Sequence, residues 1–246
     1  MAVISVGFVS APFSAPLGPQ SFDLPIPTVR AEHGGLVLPD DQIAWYLIQR
    51  GGTSASVTTP GGWVPVLRTD AGANLAAHTL RKTAAGGESG TVAVAMDSTG
   101  AHRLVLVGEV LRGVDPAAPV DAALGATPGA VTTVPAPTLN TTVAGCRITR
   151  VHGQRNNDTN IHTWAPGTGL TELDEDTTAV ASPNVSGTAG HDTADLAAAG
   201  PTGTRDSIVS GGTPVVTVAQ TIAWAPLVVV GGQWPPPQLA AFRSFF

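Results

Sequence analysis

The chain has 246 residues, of which 43% are hydrophobic and only 12% charged, and 12 Lys and Arg against 18 Asp and Glu leave a net charge of −6. That acidic balance argues against a nucleic-acid partner, which needs a basic face, and no apolar run approaches the ~20 residues of a membrane helix. The single cysteine, Cys146, excludes an internal disulfide framework.

Glycine (29) and proline (21) are spread along the whole chain, as a many-turned β protein requires. Helical periodicity is confined to Leu75–Arg81 and Asp192–Ala199, both too short to be stable alone. The expected fold class is therefore all-β, an antiparallel two-sheet sandwich of roughly eight strands, with extended arms at both ends.

Residues 1–20 read as an N-terminal extension. An apolar piece, Val3–Val9, is followed closely by Pro12, Pro16 and Pro19, and no positive residue precedes it as a signal peptide would demand. Phe22, Leu24 and Ile26 share one side of a strand whose prolines, Pro25 and Pro27, confine it to a sheet edge.

Gln42–Ile48 and Leu104–Leu111 are apolar on both faces. In a simple sandwich one face would be polar, so something covers the outside: loops, the chain termini or a neighbouring subunit. Trp45 belongs to the first of these strands. Trp63 follows the turn Pro60-Gly61-Gly62 and is expected in the core, as is Trp224 on the last strand, Pro214–Ala225. Cys146, in the alternating run Cys146-Arg147-Ile148, reads as a buried structural thiol.

Pro116–Pro137 reads as a long connection. Strand signals resume at Leu139–Val143 and Cys146–Val151, Asn156–Asn160 reads as a polar loop, and Thr163–Gly169 echoes the first tryptophan corner, which suggests an internal duplication.

The chemistry-bearing residues form no motif. The six histidines show no metal-ligand spacing, and no nucleophile elbow or phosphate loop occurs. Glu172, Asp174, Glu175 and Asp176 lack the glycine and spacing of a calcium loop and read as a solvated loop. No cofactor and no catalytic residue is expected.

Residues 227–246 break the strand pattern. Trp234 precedes three prolines, and Leu239, Phe242, Phe245 and Phe246 follow beside a single charge, Arg243. Disordered tails are polar and charged, whereas aromatic side chains anchor interfaces. Trp234, Leu239, Phe242, Phe245 and Phe246 are thus the expected partner-docking residues.

An ordered series of short motifs runs through residues 21–226: Asp40-Asp41, Thr59-Pro60-Gly61-Gly62-Trp63, Gly90-Thr91-Val92, Leu111-Arg112-Gly113-Val114-Asp115 with Pro119-Val120-Asp121, Ala165–Glu172, Ala199-Gly200-Pro201-Thr202-Gly203 and Ala223-Trp224-Ala225-Pro226. The series resembles the minor tail or tail-associated virion proteins of bacteriophages of high-GC actinobacteria. The resemblance implies a jelly-roll-like β-sandwich and a non-enzymatic structural role on the tail or as capsid decoration, among other virion proteins; the two-sided apolar strands 43–48 and 104–111 and the low charge separately predict a homo-oligomer or a tightly bound virion partner. The resemblance also implies synthesis in the bacterial host cytoplasm, and it brings no catalytic residues. The rival reading is a module that binds carbohydrate or a host cell-surface glycan, which requires an exposed Trp or Tyr in a shallow groove.

Overall fold

The computed structural model describes residues 2–16, 18–98, 100–178 and 182–228. Its first nine strands are β1 (Ile4–Ala15), β2 (Gln20–Pro25), β3 (Thr28–Val29), β4 (Gln42–Arg50), β5 (Ala55–Val57), β6 (Val64–Ala71), β7 (Leu75–Thr83), β8 (Thr91–Ser98) and β9 (His102–Arg112). The rest are β10 (Val120–Gly129), β11 (Thr133–Ala136), β12 (Arg147–Asn156), β13 (Thr163–Pro166), β14 (Leu170–Thr177), β15 (Asn184–Asp192), β16 (Arg205–Ser210) and β17 (Val216–Trp224).

All strand pairs are antiparallel, in four sheets: β3-β1-β9-β4-β7-β6, β10-β17-β12-β15-β14, β2-β8-β5 and β11-β16-β13. Once β3 is set aside, the two halves have the same topology. Reading β1, β2, β4, β5, β6, β7, β8 and β9 as β10, β11, β12, β13, β14, β15, β16 and β17 converts each sheet of one half into its counterpart. Each half joins its first strand to its last, and the last to the third, across the large sheet of an antiparallel β-sandwich.

Where a single sandwich over residues 21–226 is expected, the chain forms two, packed through their large sheets. Ala44, Tyr46 and Ile48 of β4 and Val105 and Val107 of β9 meet Val151, Val185, Ala189, Val218 and Ile222 of the second half in a central core. The opposite face of β4 and β9 (Ile43, Trp45, Leu47, Leu104, Leu106, Val110) packs under the small sheet through Phe22, Leu24, Val94 and Met96. The second half repeats this with Val134, Ala136, Trp164 and Val209. The two-sided apolar strands are therefore covered by the chain itself, because each large sheet lies between two other sheets.

Contacts across the centre come in reciprocal pairs. β6 touches β10 as β14 touches β1, and β9 touches β15 as β17 touches β7. That is the pattern of a twofold, isologous interface.

Several expectations are corrected. Residues 4–15 are not an extension: β1 pairs with β9 from Ile4↔Arg112 to Ala15↔His102. β3 covers β1 only at Gly7 and Phe8, so Pro12 sits on an effectively open edge where its missing N–H breaks no ladder bond. Pro116–Pro137 holds β10 and β11 rather than a bare connection. Leu75–Arg81 is strand, not helix, within β7. Asp192 ends β15, and Leu196 beyond it makes an isolated bridge to Cys146. Leu139–Val143 contributes only a bridge at Asn140, and Glu172–Asp176 lies within β14, at the edge of its sheet.

Candidate functional site

The expected core tryptophans are all interior. Trp45 and Trp224 have no exposure and Trp63 has 6%. Trp63 enters from the Pro60-Gly61-Gly62 turn, where Gly62 takes φ +80°, and stacks on Trp45 with ring centroids 3.7 Å apart. Trp164 and Tyr46 are buried as well. The expected docking residues Trp234, Leu239, Phe242, Phe245 and Phe246 lie outside the described residues.

The motif residues hold the chain together. Asp41 and Arg112, 71 positions apart, form a two-pronged ion pair at 2.9 and 2.8 Å. Arg112 also donates to the carbonyls of His33 and Leu36, which fixes the loop before β4. Asp121 accepts the backbone N–H and the hydroxyl of Thr142. Cys146, beside Asp121, is fully buried; burial first and the Asp121 carboxylate second push its thiol up to about 12, so it stays protonated.

Two polar networks that the sequence did not suggest occupy the interior. The first joins the halves. Glu109 of β9, with no exposure, accepts hydrogen bonds from the Tyr46 hydroxyl and, at 3.3 Å, from Thr149 Oγ1, and its Oε2 lies 2.8 Å from His191 Nε2. Thr149 Oγ1 in turn lies 3.2 Å from His191 Nδ1 and accepts the Trp224 indole N–H at 2.9 Å. Burial pushes the Glu109 carboxyl up, but the His191 charge and the bonds from His191 and Tyr46 outweigh it and hold the carboxyl below the ordinary range. Burial and the Glu109 charge push the Tyr46 phenol well up. Both Glu109 oxygens and both His191 nitrogens are engaged within the chain, so the pair binds the halves rather than a ligand.

The second network replaces an aromatic with a charge. Arg150 is the fourth residue of β12, as Trp45 is of β4, and both face the outer small sheet of their half. Trp45 Nε1 donates to the Pro25 carbonyl at 3.1 Å, and Arg150 Nη1 donates to the Pro137 carbonyl at 3.1 Å. Arg150 also forms a fork on Asp192 at 3.0 and 2.9 Å and donates to Thr221 Oγ1 and the Thr202 carbonyl. All five of its N–H groups are used, which is what makes a guanidinium tolerable at 0% exposure. Lysine cannot reproduce that fork; Arg150→Lys is expected to cost about 2 kcal/mol in denaturant unfolding, at roughly 1 kcal/mol per lost bond. An unchanged midpoint would mean that the fork contributes nothing.

The carboxylates of β14 serve the fold. Glu172 accepts from Thr188 at 2.8 Å and Glu175 from the Trp164 N–H. Burial first, then their acidic neighbours, raise Glu172, Glu175 and Asp176. Among the described residues no group of three His, Cys, Asp or Glu side chains comes together to hold a metal ion. No protein-family model, curated protein or solved structure matches the chain.

Proposed function

We propose that the chain is a non-enzymatic structural protein of a bacteriophage virion, on the tail or decorating the capsid, and that it acts through protein–protein contacts. The observation that carries this reading is the use made of the motif residues. Asp41, Arg112, Asp121, Trp63 and Thr202, which carry the resemblance to tail-associated proteins, pair and pack with one another and with the strands, and where Asp41 and Arg112 border a surface pocket they do so already locked in their two-pronged ion pair. Motifs spent on internal ties suit a scaffold, whose product is a surface in a fixed place.

The glycan-binding alternative needs a Trp or Tyr at the surface. Tyr46 and the described tryptophans, Trp45, Trp63, Trp164 and Trp224, are all buried, so a shallow stacking groove would have to be built from other groups.

Docking falls to residues 227–246 in this reading. The described chain ends at Val228 beside a surface pocket of about 520 Å³ lined by Ala2, Ala144, Ala197, Pro226 and Leu227. Two measurements test the proposal. Gold-labelled antibody against the chain should mark purified particles of the phage that encodes it, and peptides of the chain should appear in their digests. Deleting 231–246 should leave unfolding unchanged while abolishing incorporation. Particles without the chain would end the virion reading. Normal incorporation of the truncated chain would end the docking role of the segment alone.

A further inference from the structure

Three arginines gather at one rim of the slot between the two large sheets, and none of them has a carboxylate partner among the described residues. Arg50 ends β4 two residues after Ile48, and Arg103 enters β9 two residues before Val105. Arg155 comes two residues after Gly153 on β12. Ile48 and Val105 belong to the central core, and a Cβ on Gly153 would meet Ile48 at 2.6 Å. The alternation of side chains along a strand therefore sends all three arginines to the same slot.

Their placement is close. Gln49↔Leu104 is the last registered pair of β4 and β9, so Arg50 and Arg103 occupy the next opposed positions. Arg155 donates to Asn74 Oδ1 at 2.9 Å, and the Asn74 carbonyl takes the N–H of Gly51, the residue after Arg50. Burial first, then the charges of Arg155 and Arg103, lower the Arg50 guanidinium.

The bonds they do make are to neutral oxygens: Arg50 to the Ala101 carbonyl, Arg103 to the His102 carbonyl, and Arg155 to Asn74 and Asn157. Among the described residues Arg30, Arg68, Lys82, Arg112, Arg147, Arg150 and Arg205 all have carboxylate partners; Arg81 also lacks one, but it stands on β7, away from the rim, and donates to Gln42 Oε1. The chain carries 18 acidic side chains for 12 basic ones. Asp174 and Asp176 of β14 are paired in register with Ala189 and Gly187 and so face the same slot, yet among the described residues the arginines spend their bonds on neutral oxygens and not on these carboxylates. Three half-buried like charges left without a counter-ion, in a chain with carboxylates to spare, are a cost to folding that an external anion would relieve.

We propose that this rim is a binding site for a phosphate group, held by the guanidinium forks of Arg50, Arg103 and Arg155. One fork satisfies a planar carboxylate, whereas a tetrahedral phosphate group presents its free oxygens in more than one plane and can engage more than one fork at once. Free phosphate and a phosphodiester share this chemistry. The proposal is independent of the virion reading.

Calorimetric titration of the full chain with inorganic phosphate, at an ionic strength held constant with sodium chloride, tests it. The expected result is saturable binding that weakens at least tenfold in Arg50→Gln and in Arg103→Gln, since charge-assisted bonds are lost. Arg81→Gln, on β7 and away from the rim, should bind as the wild type does. Circular dichroism melting checks that each variant folds, and Arg103→Lys, which keeps the charge without the fork, should bind more weakly than wild type if either glutamine variant does not fold. Displacement of a short thymidine oligonucleotide by phosphate would assign the site to a phosphodiester backbone; a failure of the oligonucleotide to bind would assign it to free or terminal phosphate. Absence of saturable phosphate binding, or binding that survives both Arg50→Gln and Arg103→Gln, overturns the proposal.

Discussion

Glu109→Ala should destabilise the protein by about 3–5 kcal/mol, because it removes the shared acceptor of a fully buried polar network and leaves its donors unpaired. The substitution leaves the His191 imidazole, the Tyr46 hydroxyl and the Thr149 hydroxyl without their shared acceptor in the central core. Urea unfolding of wild type and variant measures it, and a loss under 1 kcal/mol would show that the halves are joined by their apolar contacts alone. The same group sets an acid limit. Its folded carboxyl titrates below its unfolded value, so its contribution is present above the unfolded value and disappears as the pH falls through the folded one. His78 and His152 add a separate loss. Burial, the larger cause for each, pushes both from 6.5 to about 4, so stability falls as the pH drops from 6.5 towards 4. Glu109→Gln should abolish only the lower of these two components.

Trp63→Ala should cost a comparable amount, about 3–5 kcal/mol, because a large buried ring is removed and the Trp45 face it covers is left open. Trp63 is joined to its surroundings by stacking and burial, so the loss should appear in thermal and urea unfolding without any change in pH dependence. A variant that melts like wild type while losing a ligand would make Trp63 a binding platform instead.

The interior strands were legible in the sequence where they are apolar. β4, β9 and β17 announced themselves by runs of Val, Ile, Leu and Trp, and β2 by its alternation. β15 did not: Asn184–Asp192 is fully buried yet rich in small residues, because Ile48 of the other half packs against Gly187 as well as Gly153. β14 was hidden by its charges, which an edge strand carries freely and a central one does not.

The duplication was half legible for a related reason. The Pro60-Gly61-Gly62 turn and the Pro166–Gly169 turn do occupy equivalent positions, between β5 and β6 and between β13 and β14. Their tryptophans, however, stand on opposite sides of the turn, Trp63 after it and Trp164 before it. Trp45 and Arg150 likewise fill one position by unrelated chemistry. Glu109, Arg150 and their partners are scattered from position 46 to 224, so only the fold could assemble them.

The covalent link between the halves changes what their shared face must supply. Two separate chains meeting through such a face would lose translational and rotational freedom worth roughly 4–15 kcal/mol. Here the stretch 113–119 between β9 and β10 turns that encounter into an intramolecular one, with an effective concentration on the order of millimolar. A face relieved of that demand can hold, within its apolar core, polar groups that align the halves: the Glu109–His191 pair, and Gln220, which accepts from Thr79 and donates to Thr69 and the Ala77 carbonyl. Residues 1–115 and 116–246 made as separate chains should therefore pair in a concentration-dependent way that the intact chain does not show, as analytical ultracentrifugation over a dilution series would measure, and the tether belongs to the quaternary logic of the molecule as much as any side chain does.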